Sequence, residues 1–132
     1  MKNINKIKII NIKQVNARGL INIAEKKKHI NFNIKRIYYL HNLKVKQRRG
    51  FHAHKNLEQL FICIQGSFRF IFFDGYKKKE IILRESTKAI YVPKLIWREF
   101  FSLKKKSILL VICNDVYNKK DYIFNKEVLK KG

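Results

Sequence analysis

The chain has 132 residues, 46% of them apolar and 13% aromatic, and a formal charge of +22. That length supports a single well-buried core and excludes a second domain of ordinary size, while one proline and five glycines leave no room for a flexible linker or a low-complexity segment. The charge invites a nucleic-acid or anionic-membrane reading, but it is spread over short clusters, Lys26-Lys27-Lys28, Lys77-Lys78-Lys79 and Lys104-Lys105-Lys106, which sit between apolar runs where solvated turns are expected.

Met1 to Lys6 lacks the uninterrupted apolar core of a signal peptide, and no later run approaches a membrane-spanning length. The expected location is therefore the cytoplasm, with neither a membrane nor a nucleic acid as partner. Period-2 alternation begins at Ile7, Ile9 and the neighbourhood of Ile12, and resumes at Leu20-Ile21-Asn22-Ile23 after an Arg18-Gly19 turn. Strands are predicted next over 35–40, 51–54, 59–64, 68–73, 80–83, 89–92, 97–101 and 107–113. Gly66 marks one reversal, and Asp74-Gly75 marks a hairpin turn, since both residues tolerate positive φ. Phe68, Phe70, Phe72 and Phe73 read as core. Cys63 and Cys113 each lie inside an apolar run and are expected to be buried free thiols rather than a disulfide. Only the tail from Lys119 to Lys130 is compatible with a short helix. So many short strands argue for an all-β antiparallel sandwich or barrel, one domain over 1–132. Ile-rich and Tyr-rich N-terminal edges would need cover, which suggests a homodimer that shares N-terminal strands.

The run Gly50-Phe51-His52-Ala53-His54-Lys55, followed by Glu58-Gln59, carries the chemistry. Alternate residues of a strand face the same way, so His52 and His54 converge on one pocket. Two neutral imidazoles side by side suit either a metal or proton transfer near neutral pH. Glu58 is open between a metal ligand, a partner for an imidazole and a surface charge. For His29 and His41 the expected role is structural.

Gly50-x-His52-x-His54-x-x-x-Glu58 resembles the first motif of the cupins, whose fold is a double-stranded jelly-roll barrel. Their second motif ends in a ligating His, and here Arg98 stands in its place, after Pro93 and Trp97. A guanidinium repels a cation and suits an anionic substrate or intermediate, so the expectation is no metal. More segments fall in order: Lys35-Arg36-Ile37-Tyr38-Tyr39, Arg49 to Lys55 with Gln59, Gly66-Ser67, Asp74-Gly75, Tyr91-Val92-Pro93-x-x-x-Trp97 and Tyr117-Asn118-x-x-Asp121-Tyr122-Ile123. Together they resemble the sugar-nucleotide 3,4-ketoisomerases, cupin-fold enzymes acting on dTDP-4-dehydro-6-deoxy-glucose. The resemblance implies an isomerase that moves the keto group from C4 to C3 of a dTDP-linked 4-keto-6-deoxyhexose through an enediol, on the way to 3-amino-3,6-dideoxyhexoses, with no cofactor. It implies His52 as base, Tyr38 as an acid/base or hydrogen-bonding partner, and His54 as the imidazole that handles oxygen-bound protons. Arg98 or Lys55 would stabilise the enediolate, and Arg49, Lys55 and Arg18 are the candidates for the diphosphate. Trp97 is a candidate to stack on the sugar or base, with core packing as the alternative. Tyr117, Asp121 and Tyr122 read as mainly structural. Positions 18 and 98 vary within the family, and Arg at both leaves the product epimer open. The competing readings are a metal-dependent cupin enzyme and a basic ligand- or nucleic-acid-binding module.

Overall fold

A computed structural model describes residues 3–131. Its strands are β1 (Lys8–Asn11), β2 (Lys13–Asn16), β3 (Leu20–Ile23), β4 (Arg36–Leu40), β5 (Arg49–His54), β6 (Gln59–Gln65), β7 (Phe68–Phe73), β8 (Lys78–Leu83), β9 (Lys88–Val92), β10 (Trp97–Ser102), β11 (Ile108–Cys113) and β12 (Tyr122–Ile123). They form two five-stranded antiparallel sheets, ordered β1-β9-β6-β11-β4 and β12-β5-β10-β7-β8, plus the separate hairpin β2-β3. This is the all-β jelly roll that the alternation and the family resemblance predict.

The inner faces of both sheets supply the core. β7 alternates cleanly, with Phe68, Phe70 and Phe72 fully buried. Phe70 stacks on Phe61 at 5.2 Å, on Phe100 at 5.4 Å and on Phe72 at 5.7 Å between centroids, so one end of the barrel is filled by rings. The outer face of the first sheet is covered by Ile30 and Phe32, which pack on Leu60, Ile62 and Ile112. On the outside of the second sheet, Ala53, Trp97, Ile123 and Leu129 form a smaller cluster. Cys63 and Cys113 are buried and free, and burial pushes the Cys63 thiol up to about 11.

Asp74-Gly75 makes the turn between β7 and β8. The Asp74 carboxylate accepts from the backbone N–H groups of Tyr76 and Lys77, each at 2.8 Å, and of Ile4 at 3.0 Å, which ties the N-terminal segment to the turn.

Two details are added to the expectations. The tail, read as compatible with a short helix, carries short 3-10 helices at Lys119–Asp121 and Lys126–Lys131, and between them lies an unexpected strand, β12, which pairs with β5 through Tyr122↔His54 and Ile123↔Ala53. Extended backbone here lets Ile123 cover the outer face of β5 while the Tyr122 ring meets the histidines, an arrangement that places consecutive side chains on opposite faces. Of the three lysine clusters, the middle one is partly strand, because Lys78 and Lys79 belong to β8. β8 is an edge strand, where exposed lysines discourage pairing with another chain. Among the described residues no helix is long and apolar enough to cross a membrane.

Candidate active site

Beside the stacked phenylalanines the barrel interior becomes polar, because β4, β5, β6 and β10 each turn a polar residue inward. Tyr38, Arg49, His52, Gln59 and Arg98 line a cavity of about 130 Å³, with Leu40, Phe61 and Phe100 as its apolar wall. Arg98 lies directly opposite His52 across the β10–β5 ladder, and the next pair is Glu99↔Gly50. Phe51 is therefore an extra residue in β5, a bulge held at φ 57° with its ring half exposed. Gly50 precedes it at φ 94°, and a Cβ there would come within 2.6 Å of the Arg98 carbonyl oxygen, so a glycine lets β5 approach β10 beside the guanidinium.

The bulge leaves both rings on one side of β5, edge to face at 4.8 Å, but the pair does not converge on one pocket as the alternation predicts: His52 lines this cavity, whereas His54 lines a neighbouring one with Arg36, Asn56, Asp121 and Tyr122. His52 Nδ1 lies 2.9 Å from the Gly50 carbonyl, which can only accept, so Nδ1 carries the proton and Nε2 keeps its lone pair. Burial, with Arg98 second, pulls the His52 pKa down to about 4, against a smaller opposing effect of the Gly50 carbonyl. His54 Nδ1 lies 3.0 Å from Asp121 Oδ2. Burial, then Arg98, His52 and Arg36, hold the His54 pKa far below the ordinary imidazole range. Both imidazoles are neutral bases near pH 7.

Arg98 is fully buried. Its guanidinium donates to the Ile96 carbonyl from Nε (3.2 Å) and Nη2 (2.9 Å), and from Nη1 to Gln59 Oε1. Burial lowers its pKa to about 10, which still leaves a cation at neutral pH. No carboxylate forms an ion pair with it among the described residues. The other face of Gln59 donates from Nε2 to the Tyr38 hydroxyl at 3.2 Å, so Tyr38 is left to donate its own proton. Burial first, and then Cys113, raise the Tyr38 pKa and keep the phenol neutral.

Tyr38 turns to the cavity while Tyr39 is 64% exposed, as alternation requires. Several other sequence expectations meet a different arrangement. Trp97 does not reach the cavity: it faces outward from β10, 6% exposed in the cluster with Ala53, Ile123 and Leu129, and its Nε1 donates to Glu99 Oε2 at 3.0 Å. Strand alternation dictates this, because its neighbour Arg98 faces in. Lys55 follows the end of β5 on the surface, where its backbone N–H donates to the Asp121 carbonyl, and its side chain does not line the cavity. Arg18 sits at φ 59° in the exposed β2–β3 turn, outside the cavity lining. Glu58 does not partner an imidazole, because it accepts from the Tyr91 hydroxyl and from Asn114 Nδ2 on the first sheet. Sequence reasoning missed Gln59 as the link between Arg98 and Tyr38, and missed Asp121 as the partner of His54. The one sequence signal for either was membership of the matching segments.

A jelly-roll barrel with a histidine pair and a buried arginine on facing strands defines the molecule as a cupin-like all-β protein. Its similarities to known proteins narrow the class further. The family model FdtA, described as WxcM-like, C-terminal, matches residues 3–131. A TDP-4-oxo-6-deoxy-alpha-D-glucose-3,4-oxoisomerase from Aneurinibacillus thermoaerophilus is 38% identical over 125 residues, covering 94% of this chain and 90% of that protein. The crystal structure of QdtA, a sugar 3,4-ketoisomerase from Thermoanaerobacterium thermosaccharolyticum in complex with TDP, superposes with a TM-score of 0.91 at 31% identity, over 97% of this chain and 94% of the other. The TDP-quinovose 3,4-ketoisomerase WlaRB from Campylobacter jejuni superposes with a TM-score of 0.92 at 35% identity, over 98% and 100% of the two chains. The chain belongs to this family of sugar-nucleotide 3,4-ketoisomerases and is an enzyme.

Proposed function

We propose that the chain converts TDP-4-keto-6-deoxyglucose into its 3-keto isomer by proton transfer between His52, His54 and Tyr38, without a metal. The observation that carries this reading is a fully buried Arg98 that forms no ion pair among the described residues, set across one ladder rung from a neutral His52. A desolvated cation beside a neutral base favours a substrate that becomes anionic when the base removes a proton. The relatives named for TDP-linked keto sugars support the substrate class.

In this scheme the C3–H bond breaks toward His52 Nε2, its electron pair becomes the C3=C4 bond, and the carbonyl pair moves to O4 opposite Arg98. Next the O3–H bond breaks toward His54, its pair forms the C3 carbonyl, and the C=C pair takes the proton back from His52 at C4. Tyr38 supplies the O4 proton, and the proton held by His54 restores the balance. Hydrogen leaves C3 and O3 and arrives at C4 and O4, so the change is an isomerisation. The product is a 3-keto sugar ready for amination at C3, which places the enzyme ahead of 3-amino-3,6-dideoxyhexose formation. Arg49, on the cavity rim, is the candidate among the sequence-predicted cations to meet the diphosphate.

The same reading includes a homodimer. Among the described residues β2 and β3 pair only with each other, and Leu20 and Ile21 are exposed large apolar residues beside Arg18. Packing this hairpin on a second copy would cover them and take Arg18 to the partner's site. Sedimentation of the full chain should then show a dimer, and Leu20→Asp with Ile21→Asp should give a monomer of lower activity.

Incubation with TDP-4-keto-6-deoxyglucose, followed by proton NMR, tests the function. Appearance of a C4 carbinol proton with loss of the C3 proton is the expected result. No conversion of this or any other nucleotide-linked 4-keto sugar would contradict it.

A further inference from the structure

We propose that Asp121 is a positioning residue for the isomerisation, fixing His54 as the Nδ1–H tautomer and balancing the charge that His54 gains when it takes the O3 proton. The proposal rests on the proton-transfer reading of the site. Asp121 ends the 3-10 segment Lys119–Asp121, and its two carboxylate oxygens have separate duties. Oδ1 accepts the backbone N–H of Asn56 at 2.8 Å, while its own backbone carbonyl accepts that of Lys55 at 2.8 Å, and these bonds secure the chain where β5 ends. Oδ2 lies 3.0 Å from His54 Nδ1.

The first duty needs only an oxygen, and an amide would serve. The second is different, because the surroundings of His54 are cationic. Arg98, Arg36 and His52 all disfavour a charge on it, and it is buried. Asp121 is the one carboxylate in ion-pairing contact with it among the described residues. The carboxylate lowers the cost of a transient proton on His54, which burial and the neighbouring cations otherwise oppose. With it, Nδ1 is committed as donor and the lone pair stays on Nε2, the nitrogen free to accept. His52 has no such counter-ion, since a neutral carbonyl holds its Nδ1. The two histidines are thereby divided: His52 passes a proton from carbon to carbon, and His54 takes one from oxygen.

This division separates two rates. Removal and return of the C3 proton needs His52 and Arg98 but not His54, whereas migration of the carbonyl needs all three. In deuterated buffer with the full chain and TDP-4-keto-6-deoxyglucose, Asp121→Asn is expected to wash deuterium into C3 within about threefold of the wild-type rate. Carbonyl migration should fall about a hundredfold or more. Equal retention of both rates, or equal loss of both, overturns the inference. Asn118→Ala serves as the structural control, because it removes the side-chain acceptor of Lys120 N–H in the same 3-10 segment and leaves the carboxylate in place. It should keep the two rates in their wild-type ratio, and a split like that of Asp121→Asn would assign the effect to the turn and overturn the inference. Independently of any variant, nitrogen-15 NMR of the wild-type protein should show His54 protonated at Nδ1, and protonation at Nε2 instead would also overturn it. Wild-type protein that neither exchanges nor isomerises would fail the functional reading itself, and this inference with it.

Discussion

Replacing Arg98 by methionine removes the buried charge and keeps most of the volume. Two effects on stability oppose each other. The Ile96 carbonyl and Gln59 Oε1 lose their donor, costing about 1–3 kcal/mol apiece if each stays unsatisfied. Against this, the fold no longer desolvates a cation that forms no ion pair among the described residues, and replacing buried ionic groups by apolar ones returns on the order of 1–4 kcal/mol. At mid-range the two nearly cancel, leaving a destabilisation of about 1–2 kcal/mol, and the variant should fold. Catalysis has no such compensation. Loss of a preorganised donor at a developing oxyanion lowers kcat about 10²–10³-fold, or roughly 2.7–4 kcal/mol. A second signature follows from charge. Arg98 is the second-largest cause, after burial, of the low His52 pKa of about 4, so its removal should move that pKa upward, toward the ordinary imidazole value of about 6.5. The acid limb of kcat/KM and the His52 Cε1–H titration by NMR should both shift to higher pH. An Arg98→Met enzyme within about threefold of wild-type kcat, or one whose His52 titrates where the wild type does, would refute the electrostatic role.

Stability itself should depend on acid. The folded His52 and His54 titrate below their unfolded value of about 6.5, so between about pH 6.5 and the folded pKa of His52 near 4 the unfolded chain binds more protons. Their contribution is intact above the unfolded pKa and is lost as pH falls through this window; urea midpoints that rise on acidification would contradict it. Gly50→Ala should cost about 1–3 kcal/mol and lower kcat, because its backbone stands at φ 94° and the added carbon would press on the Arg98 carbonyl. Urea titration and steady-state rates measure both, and an unchanged protein would show that β5 can back away from β10 freely.

The inward residues of the central strands were readable from period-2 alternation, because β6, β7, β10 and β11 pair on both sides and have little freedom of register. At the edges the rule weakens. Ile7 is buried and Ile9 is 49% exposed, although both belong to one apparent alternation, because Ile7 precedes β1 and packs in the central core. The histidine pair was legible for the same reason as the core, whereas its setting was not. The Phe51 bulge, the Gln59 link from Arg98 to Tyr38 and the Asp121 contact with His54 join residues far apart in the chain, and only the sheet pairing brings them together. Trp97 shows the converse. A large aromatic beside Arg98 in sequence must lie on the other face of the sheet, which alternation alone could have decided.

In the proposed mechanism His52 is the group that breaks the C3–H bond. Substrate deuterated at C3 tests this directly, with wild-type protein and His52→Asn compared by deuterium NMR. Wild-type protein should move the label from C3 to C4 or to solvent, and His52→Asn should leave it at C3 while retaining the wild-type fold. Loss of the label from C3 at the wild-type rate in His52→Asn would contradict the account.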